Sequence, residues 1–218
     1  MNVEDTINKI HEIGIVPVVR AAHLDEARRA VDAIFAGGIH IIEITMTVPN
    51  APEMIQGLVR HYGDSLLAGA GTVTNAAQAE TCMDAGAQFL VSPGLSVPVV
   101  QAASRRGILA KPGALTPTEV MAAQEAGAEL IKIFPCGSAG GPSHIKSLKA
   151  PFPEARLIPT GGVNLSNAAQ YFAVGAFALG VGADLVDLHA IRSNEVAKIV
   201  EMAKRLVEAV REARTIRS

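Results

Sequence analysis

The sequence predicts an α/β protein folded as a (β/α)8 TIM barrel with an extra N-terminal helix. Short apolar, β-branched runs alternate with longer amphipathic stretches along the 218 residues, as in a parallel sheet covered by helices. The runs are almost continuously apolar, as strands are when both faces of a sheet are buried. Eight runs are present: IVPVVR (15–20), IIEITM (41–46), LLAGAGTV (66–73), FLVSP (89–93), ILAKPGAL (108–115), LIKIFP (130–135), RLIPTGG (156–162) and FALGVG (177–182). An open doubly wound sheet is the alternative that this alternation allows.

Helical patterns lie between the runs, and four of them end in the same short signature. It is Ala or Val, then Gly, then Gly or Ala, and it begins at positions 36, 85, 126 and 174. Gly just past a helix end adopts the left-handed conformation at little cost and turns the chain back. Each interval has room for two βα units of roughly 20–25 residues, and eight such units fill a small barrel. We therefore expect residues 1–218 to form a single domain, with the first helix plugging the barrel floor and residues 194–214 closing the ring.

The composition excludes several classes of protein. Hydrophobic residues make up 49% of the chain and charged residues 18%, which is enough for a large core. The net charge of −2 and the 4% of aromatic residues argue against a nucleic-acid partner. No apolar run reaches the roughly 18 residues of a membrane span, and the N-terminus lacks the order of a signal peptide, so we expect a cytoplasmic protein without a membrane partner. Cys82 and Cys136 match no zinc pattern and the histidines are scattered, so we expect free thiols and no metal site.

Polar residues that interrupt apolar strands indicate where the chemistry lies. Arg20, Glu43, Lys111 and Lys132 are four such residues, and the active site of a barrel is at the carboxyl ends of its strands. Lys132 lies among Leu, Ile and Phe, where an ammonium is costly and a lowered pKa leaves a neutral amine that attacks a ketone. The resulting imine withdraws electrons from the adjacent carbon, which is how a class I aldolase works without a metal. The alternative is a lysine that points outward to the surface.

Glu43 strengthens the catalytic interpretation of Lys132. The two residues lie on the second and sixth predicted strands, which face each other across an eight-stranded barrel. A carboxylate near an amine and a bound ketone can move protons during imine formation and bond cleavage. The alternative is a buried ion pair with no catalytic role. Lys111 is the rival nucleophile, but its neighbours leave its orientation unclear, and we expect it to be solvated or to point outward.

Two glycine-rich turns follow the seventh and eighth strands, PTGGVN (159–164) and GVGADL (180–185). Glycine lets backbone N–H groups approach an anion, and the loops after these strands often bind phosphate in barrels. The alternative is two tight turns without a ligand. Thr72 and Pro93 end the third and fourth strands, where they are expected to shape the pocket.

Taken together, these motifs resemble the 2-keto-3-deoxy-6-phosphogluconate (KDPG) / 4-hydroxy-2-oxoglutarate (KHG) aldolases. The most specific pieces are IEITMTVPN, GAGTVTNAAQ, VSPGL, PGALTPTEV, KIFPCGSAGGPSHIKSLKAPFP and IPTGGVN, and the similarity runs from GIVPVVR to GVGADLV. The resemblance implies a class I lyase with the barrel fold, which needs no cofactor and assembles as a homotrimer. It also implies a role in the Entner–Doudoroff pathway of carbohydrate metabolism. It implies Lys132 as the Schiff-base residue and Glu43 as the general acid/base. It places Thr72, Pro93 and Phe134 in the pocket, and Gly161, Gly162 and Gly182 around a phosphate.

The chain departs from the family pattern at two positions. Many members carry an arginine that clamps the substrate carboxylate where this chain has Thr47, and Arg20 is expected to reach the same carboxylate from the neighbouring strand. Thr47 itself is also expected to bind the substrate. The phosphate turn often contains a serine where this chain has Ala183, which removes one hydroxyl donor and leaves room for an unphosphorylated substrate. The backbone N–H groups remain, so Ala183 is still expected among the phosphate-binding residues.

The sequence thus predicts a lyase whose small-molecule substrate is a 2-keto-4-hydroxy acid. The expected substrates are KDPG, KHG or both, cleaved to pyruvate and an aldehyde, namely glyceraldehyde 3-phosphate or glyoxylate. 2-Dehydro-3-deoxy-6-phosphogalactonate is an alternative substrate. A phosphate-binding barrel isomerase or epimerase, and a non-catalytic barrel, are the alternatives from other classes.

Overall fold

The computed structural model describes residues 2–215, in which parallel strands alternate with helices. The strands are β1 (Ile15–Val19), β2 (Ile41–Thr45), β3 (Leu67–Gly71), β4 (Phe89–Val91), β5 (Leu109–Lys111), β6 (Gly113–Ala114), β7 (Ile131–Ile133), β8 (Leu157–Pro159) and β9 (Leu179–Val181). Each of the eight predicted runs contains a strand, but the ends of the runs belong to turns. The fifth run is divided into β5 and β6 at Pro112, which has no N–H group to donate to a neighbouring strand.

Most of the helices lie between consecutive strands, whereas the first precedes β1 and the last two follow β9. They are α1 (Val3–Ile13), α2 (Leu24–Ala36), α3 (Ala51–Tyr62), α4 (Ala76–Asp84), α5 (Val97–Arg105), α6 (Pro117–Glu125), α7 (Pro142–Lys149), α8 (Ala168–Ala173), α9 (Leu188–Arg192) and α10 (Ala197–Thr215). Short 3-10 helices cover Gly63–Ser65 and Gly137–Ala139. Left-handed glycines follow the four helices with the recurring signature, at Gly38, Gly86, Gly127 and Gly175, with φ between 91° and 97°. In the first signature the left-handed residue is Gly38, because Gly37 keeps a φ of −81°.

The parallel sheet curls round in the manner of a TIM barrel. One set of strands pairs in the order β5-β4-β3-β2-β1-β9 and the other in the order β6-β7-β8. Every pairing is parallel. A bridge between Thr160 and Gly180 connects the β8 side to β9, and only Pro112 separates β5 from β6. The open doubly wound sheet is therefore excluded, because the first and last strands are paired with each other.

Two apolar clusters occupy the two sides of the sheet. The larger cluster lies between the strands and the helices, and the smaller one lies in the interior that the curled sheet encloses. In the smaller cluster, Ile7 and Ile10 of α1 pack with Leu67, Phe89 and Leu109 from three strands. Helix α1 itself begins with a capping box and ends at a left-handed Gly14. Apolar packing thus fills one end of the interior and leaves the other end for polar groups.

Candidate active site

Lys132 points into the interior of the sheet. Its neighbours on β7, Ile131 and Ile133, belong to the outer cluster, so the alternation of a strand turns Lys132 to the inner face. The residue is 6% exposed and lines a cavity of about 810 Å³. Its Nζ lies 3.7 Å from Oε1 of Glu43 and 5.0 Å from the centroid of the Phe134 ring. The amine therefore lies beside a carboxylate, on a residue that lines the cavity.

Glu43 lies on the inner face of β2, because Ile42 and Ile44 belong to the outer cluster. It is 1% exposed and no side-chain hydrogen bond is made to either carboxylate oxygen within residues 2–215. Gly71, at the end of β3, provides the space for this side chain, since a Cβ there would collide with the Glu43 carboxylate. The role of Gly71 was not foreseen from the sequence, although the residue lies in the GAGTV motif.

Lys111 corrects an expectation from the sequence. It is neither solvated nor outward: it is 1% exposed, and its Nζ lies 3.6 Å from Oε2 of Glu43. The reason is the register of β5, where Leu109 belongs to the inner cluster and Ala110 to the outer one, so Lys111 returns to the inner face. Burial lowers the pKa of Lys111 from 10.5 to about 8, against the opposing effect of Glu43. Glu43 is thus flanked by two amines, one per oxygen.

Arg20 and Thr47 meet at the rim of the site. Nη1 of Arg20 donates a hydrogen bond of 3.2 Å to Oγ1 of Thr47. The Thr47 hydroxyl lies 2.7 Å from that of Thr45, which in turn donates to the backbone carbonyl of Val19. Arg20 lines the cavity together with Lys132, whereas Thr47 does not. The hydrogen bond to Thr47 therefore holds the guanidinium of Arg20, a residue that lines the same cavity as Lys132.

Three further residues named from the sequence line the same cavity. They are Thr72, Pro93 and Phe134. Thr72 has a φ of 59°, a left-handed conformation that is uncommon for a threonine and often occurs at functional positions. The Phe134 side chain is exposed at 36%, so an aromatic face is available to a bound molecule.

The two glycine-rich turns lie at the cavity as well. Gly161, Gly162, Gly182 and Ala183 all line it. Gly161 and Gly162 have φ values of 85° and 74°, which favour glycine and bring the backbone itself to the cavity wall. The carbonyl of Gly162 accepts a hydrogen bond from Nδ2 of Asn167, which holds the first turn.

Sequence reasoning missed several residues of the cavity wall. They are Val18, Thr160, Asp184, Val186, Asp187 and Leu188. Asp184 belongs to the second glycine-rich turn, so the motif itself contained the signal that was overlooked. Asp187 caps α9 by accepting a hydrogen bond from the N–H of Ala190. Two carboxylates thus border the second turn, and neither was part of the predicted site.

Within residues 2–215, no group of three or more potential metal ligands is found. Helices of that part of the chain are also too short or too polar to cross a membrane. Cys82 and Cys136 are both free and buried, as the sequence predicted. Burial raises the pKa of the Cys82 thiol to about 11, so it is protonated at neutral pH.

Comparison with known proteins agrees with this geometry. The family described as "Aldolase: KDPG and KHG aldolase" matches residues 6–202. The chain is 32% identical over 197 residues to the KHG/KDPG aldolase of Escherichia coli (strain K12), covering 90% of this chain and 92% of the relative. It is 35% identical over 203 residues to the 2-dehydro-3-deoxy-6-phosphogalactonate aldolase of that strain, with coverage of 93% and 97%. The solved KDPG aldolase from Legionella pneumophila, with pyruvate captured as a covalent carbinolamine, superposes with a TM-score of 0.85 at 30% identity, covering 92% and 97%.

The match extends over the whole sheet. It starts within α1 and ends within α10, so it includes the strands that carry Glu43, Lys111 and Lys132. These relatives are aldolases, which are lyases. The chain therefore belongs to the KDPG and KHG aldolase family.

Proposed function

We propose that the protein is a class I aldolase that cleaves a 2-keto-4-hydroxy acid to pyruvate and an aldehyde through an imine on Lys132. The observation that carries the proposal is the position of the Lys132 amine, which lines the cavity and lies 3.7 Å from the buried carboxylate of Glu43. Lys111 is close to the same carboxylate, but it is not part of the cavity wall. This difference supports Lys132, rather than Lys111, as the nucleophile.

The reaction follows from these positions. Glu43 takes a proton from the Lys132 ammonium, and the neutral amine attacks the C2 ketone. A proton shift from nitrogen to oxygen gives the carbinolamine, and Glu43 returns its proton to that oxygen, which leaves as water. The Glu43 carboxylate then takes the proton of the C4 hydroxyl. The C3–C4 bond breaks, its electrons move into the iminium to form an enamine, and the aldehyde departs. Glu43 returns the proton to C3, and water releases pyruvate and the free amine.

The carboxylate end of the substrate would be held by Arg20 and Thr72. Both residues line the cavity with Lys132, and Arg20 is oriented by its hydrogen bond to Thr47. A guanidinium binds a carboxylate through paired N–H donors, which fixes the keto acid relative to the amine. Pro93 and Phe134 would supply apolar contacts to the three-carbon unit that becomes pyruvate.

The distal end of the substrate would lie at the glycine-rich turns. KDPG and KHG are the proposed substrates, and 2-dehydro-3-deoxy-6-phosphogalactonate is the alternative, supported by the 35% identity to an aldolase of that name. Backbone at Gly161, Gly162 and Gly182 suits a phosphate. Ala183 supplies no hydroxyl, and Asp184 and Asp187 add negative charge nearby, both of which favour an unphosphorylated substrate.

The architecture is part of the proposal. We propose that residues 1–218, of which residue 1 and residues 216–218 lie outside the described part of the chain, belong to a single (β/α)8-barrel domain, in which α1 is an element added to the barrel. The packing of Ile7 and Ile10 against the interior cluster supports this assignment. The homotrimeric assembly, the cytoplasmic location and the place in the Entner–Doudoroff pathway stay predictions. Light scattering of the purified protein would measure its assembly.

Reductive trapping tests the nucleophile. The protein is incubated with pyruvate and borohydride, digested, and the peptides are mapped by mass spectrometry. We expect a reduced pyruvate adduct on Lys132, no adduct in Lys132→Met, and an adduct still on Lys132 in Lys111→Met. An adduct on Lys111 of the wild-type protein, or none on either lysine, would refute the proposal.

A second experiment tests Glu43. Glu43→Gln keeps the size of the side chain but cannot accept the C4 hydroxyl proton, so we expect kcat for aldol cleavage to fall by about 10²–10⁴-fold. Glu208→Gln, on the exposed face of α10, is the control and should cleave at the wild-type rate. A variant at position 43 with wild-type kcat would remove Glu43 from the mechanism.

A further inference from the structure

Lys111 is a buried charged residue that the proposed reaction does not use. Its side chain is 1% exposed, and its Nζ makes no hydrogen bond within residues 2–215. Among the described residues, its carboxylate partner is Glu43, at 3.6 Å, too long for a hydrogen bond but close enough for a strong Coulomb interaction. Burying an ammonium beside one carboxylate costs free energy, so stability does not explain why a lysine occupies position 111.

The surroundings of Lys111 enclose it from the cavity. The ring of Phe89 lies 5.8 Å from its Nζ, and Leu109 precedes it on the same inner face. Glu43 separates it from Lys132, because each carboxylate oxygen lies beside a different amine. Lys111 therefore acts on the substrate only through Glu43 and Lys132.

Charged residues on the elements packed against β5 point elsewhere. On α1, Glu4, Asp5 and Glu12 are exposed, and Lys9 donates to the carbonyl of Asp64. Arg105, the charged residue of α5, is exposed and pairs with Glu80. The inner faces of β2 and β7 contribute Glu43 and Lys132. The electrostatics of Lys111 are thus set by one carboxylate and one other amine.

We propose that Lys111 is a positioning residue whose positive charge, beside the same carboxylate, disfavours a second positive charge on the Lys132 amine. This inference rests on the proposed function, since it concerns the amine that forms the imine. Without Lys111, Glu43 and Lys132 would form a simple pair, in which the carboxylate stabilises the ammonium and withholds the nucleophile. When Lys111 is present, two amines share the carboxylate of Glu43. If both amines are protonated, one of the two positive charges is not balanced by a carboxylate.

The titration of Lys111 agrees with this arrangement. Burial lowers the pKa of Lys111 to about 8, and the like charge of Lys132 contributes to the lowering. The two amines share one carboxylate, so a positive charge on either of them disfavours a positive charge on the other. At neutral pH Lys111 is still mainly charged. A lysine beside a second cation is a known way of obtaining a nucleophilic amine.

The test is the pH dependence of pyruvate trapping by cyanoborohydride, measured as the initial rate of adduct formation on Lys132 between pH 5.5 and 9. Lys111→Met removes the charge and keeps the length of the side chain. We expect its rate at pH 7 to be about tenfold below the wild-type rate and its midpoint to move up by about one pH unit. Lys111→Arg keeps a positive charge and should retain the wild-type midpoint if it folds. Leu109→Met is the matched control for repacking on the inner face of β5.

The outcomes separate this inference from the proposed function. A merely structural role for Lys111 would lower the trapping rate of Lys111→Met by the same factor at every pH and leave the midpoint in place, which would overturn the inference alone. A midpoint shift of the same size in Leu109→Met would also overturn it. Absence of wild-type trapping on Lys132 would overturn the proposed function and the inference with it. Thermal unfolding of each variant at pH 7 verifies that the compared proteins are folded.

Discussion

The guanidinium of Arg20, just beyond β1, is held by the hydroxyl of Thr47, just beyond β2, through a hydrogen bond of 3.2 Å. Thr45 extends this connection back to the carbonyl of Val19, so the two strand ends are tied together. The resemblance places an arginine at position 47 in many relatives. In this chain the residue at that position supports the arginine of the neighbouring strand instead.

Arg20→Ala is therefore expected to impair capture of the keto acid. A charge-assisted hydrogen bond contributes about 1.5–3 kcal/mol, so kcat/KM should fall roughly 10–150-fold, mainly through KM. Steady-state kinetics of aldol cleavage measure the effect. Arg60→Ala, on the exposed face of α3, is the control and should leave both constants unchanged. Equal values for Arg20→Ala and the wild-type protein would show that another group binds the carboxylate.

The free energy of unfolding should reveal the titration of Lys111. Its folded-state pKa of about 8 lies below the ordinary value of 10.5, so below pH 8 it is protonated in both states and the cost of burying the charge is fully present. Between about pH 8 and 10.5 the unfolded chain binds more protons, and wild-type stability should rise with pH relative to Lys111→Met. The relative gain is about 3 kcal/mol over this range.

Urea unfolding of both proteins at a series of pH values checks this prediction. The free energy of unfolding of Lys111→Met, measured relative to that of the wild-type protein, should fall steadily as the pH rises from 8 to 10.5. Leu109→Met serves as the control, since it should track the wild-type protein. Parallel stability curves for wild-type protein and Lys111→Met would mean that Lys111 titrates normally.

Ala183→Ser tests whether the substrate is phosphorylated. The added hydroxyl would donate to a phosphate held at the second glycine-rich turn, whose residues line the cavity. For KDPG we expect KM to fall about 5–10-fold, the effect of one added hydrogen bond. KHG, which carries no phosphate, is the matched control substrate and should keep its KM. An unchanged KM for KDPG would favour an unphosphorylated natural substrate.

Gly71→Ala tests the space reserved for Glu43. A Cβ at position 71 would collide with the Glu43 carboxylate, so we expect a loss of about 1–3 kcal/mol of stability together with reduced aldol cleavage. Gly57→Ala in α3 is the contrast, because its Cβ would meet nothing within 4 Å and should stabilise the helix by about 0.5–1 kcal/mol. Urea unfolding compares the two. Similar stability changes in both variants would show that position 71 tolerates a side chain.

Local patterns predicted the strands, and they singled out Lys132 and Glu43, which the structure brings within 3.7 Å of each other. A strand of a covered parallel sheet is buried on both faces, so nearly all of its residues are apolar. For this reason each apolar run contains a strand. Lys132 and Glu43 were identified because a charged residue in such a run is unusual wherever it points. The division of the fifth run at Pro112 follows from the missing N–H of proline, which the sequence also contained.

Lys111 shows where local pattern was insufficient. Its neighbours Leu109 and Ala110 are both apolar, so alternation alone did not say which of them faces inward. The structure places Leu109 inside and Ala110 outside, which turns Lys111 toward Glu43. The same holds for Asp184 and Asp187, whose contribution to the cavity wall depends on how the second turn is oriented.

The sequence by itself determined the alternation of strands and helices, the glycine-rich turns, and the presence of ionisable groups in apolar strands. These features follow from residue type and spacing, which act over a few neighbouring positions. Only the tertiary structure decided that Lys132 borders the cavity, that Lys111 lies enclosed behind Glu43, and that Thr47 supports Arg20. Those relationships join residues from different strands, so they depend on the register and curvature of the whole sheet.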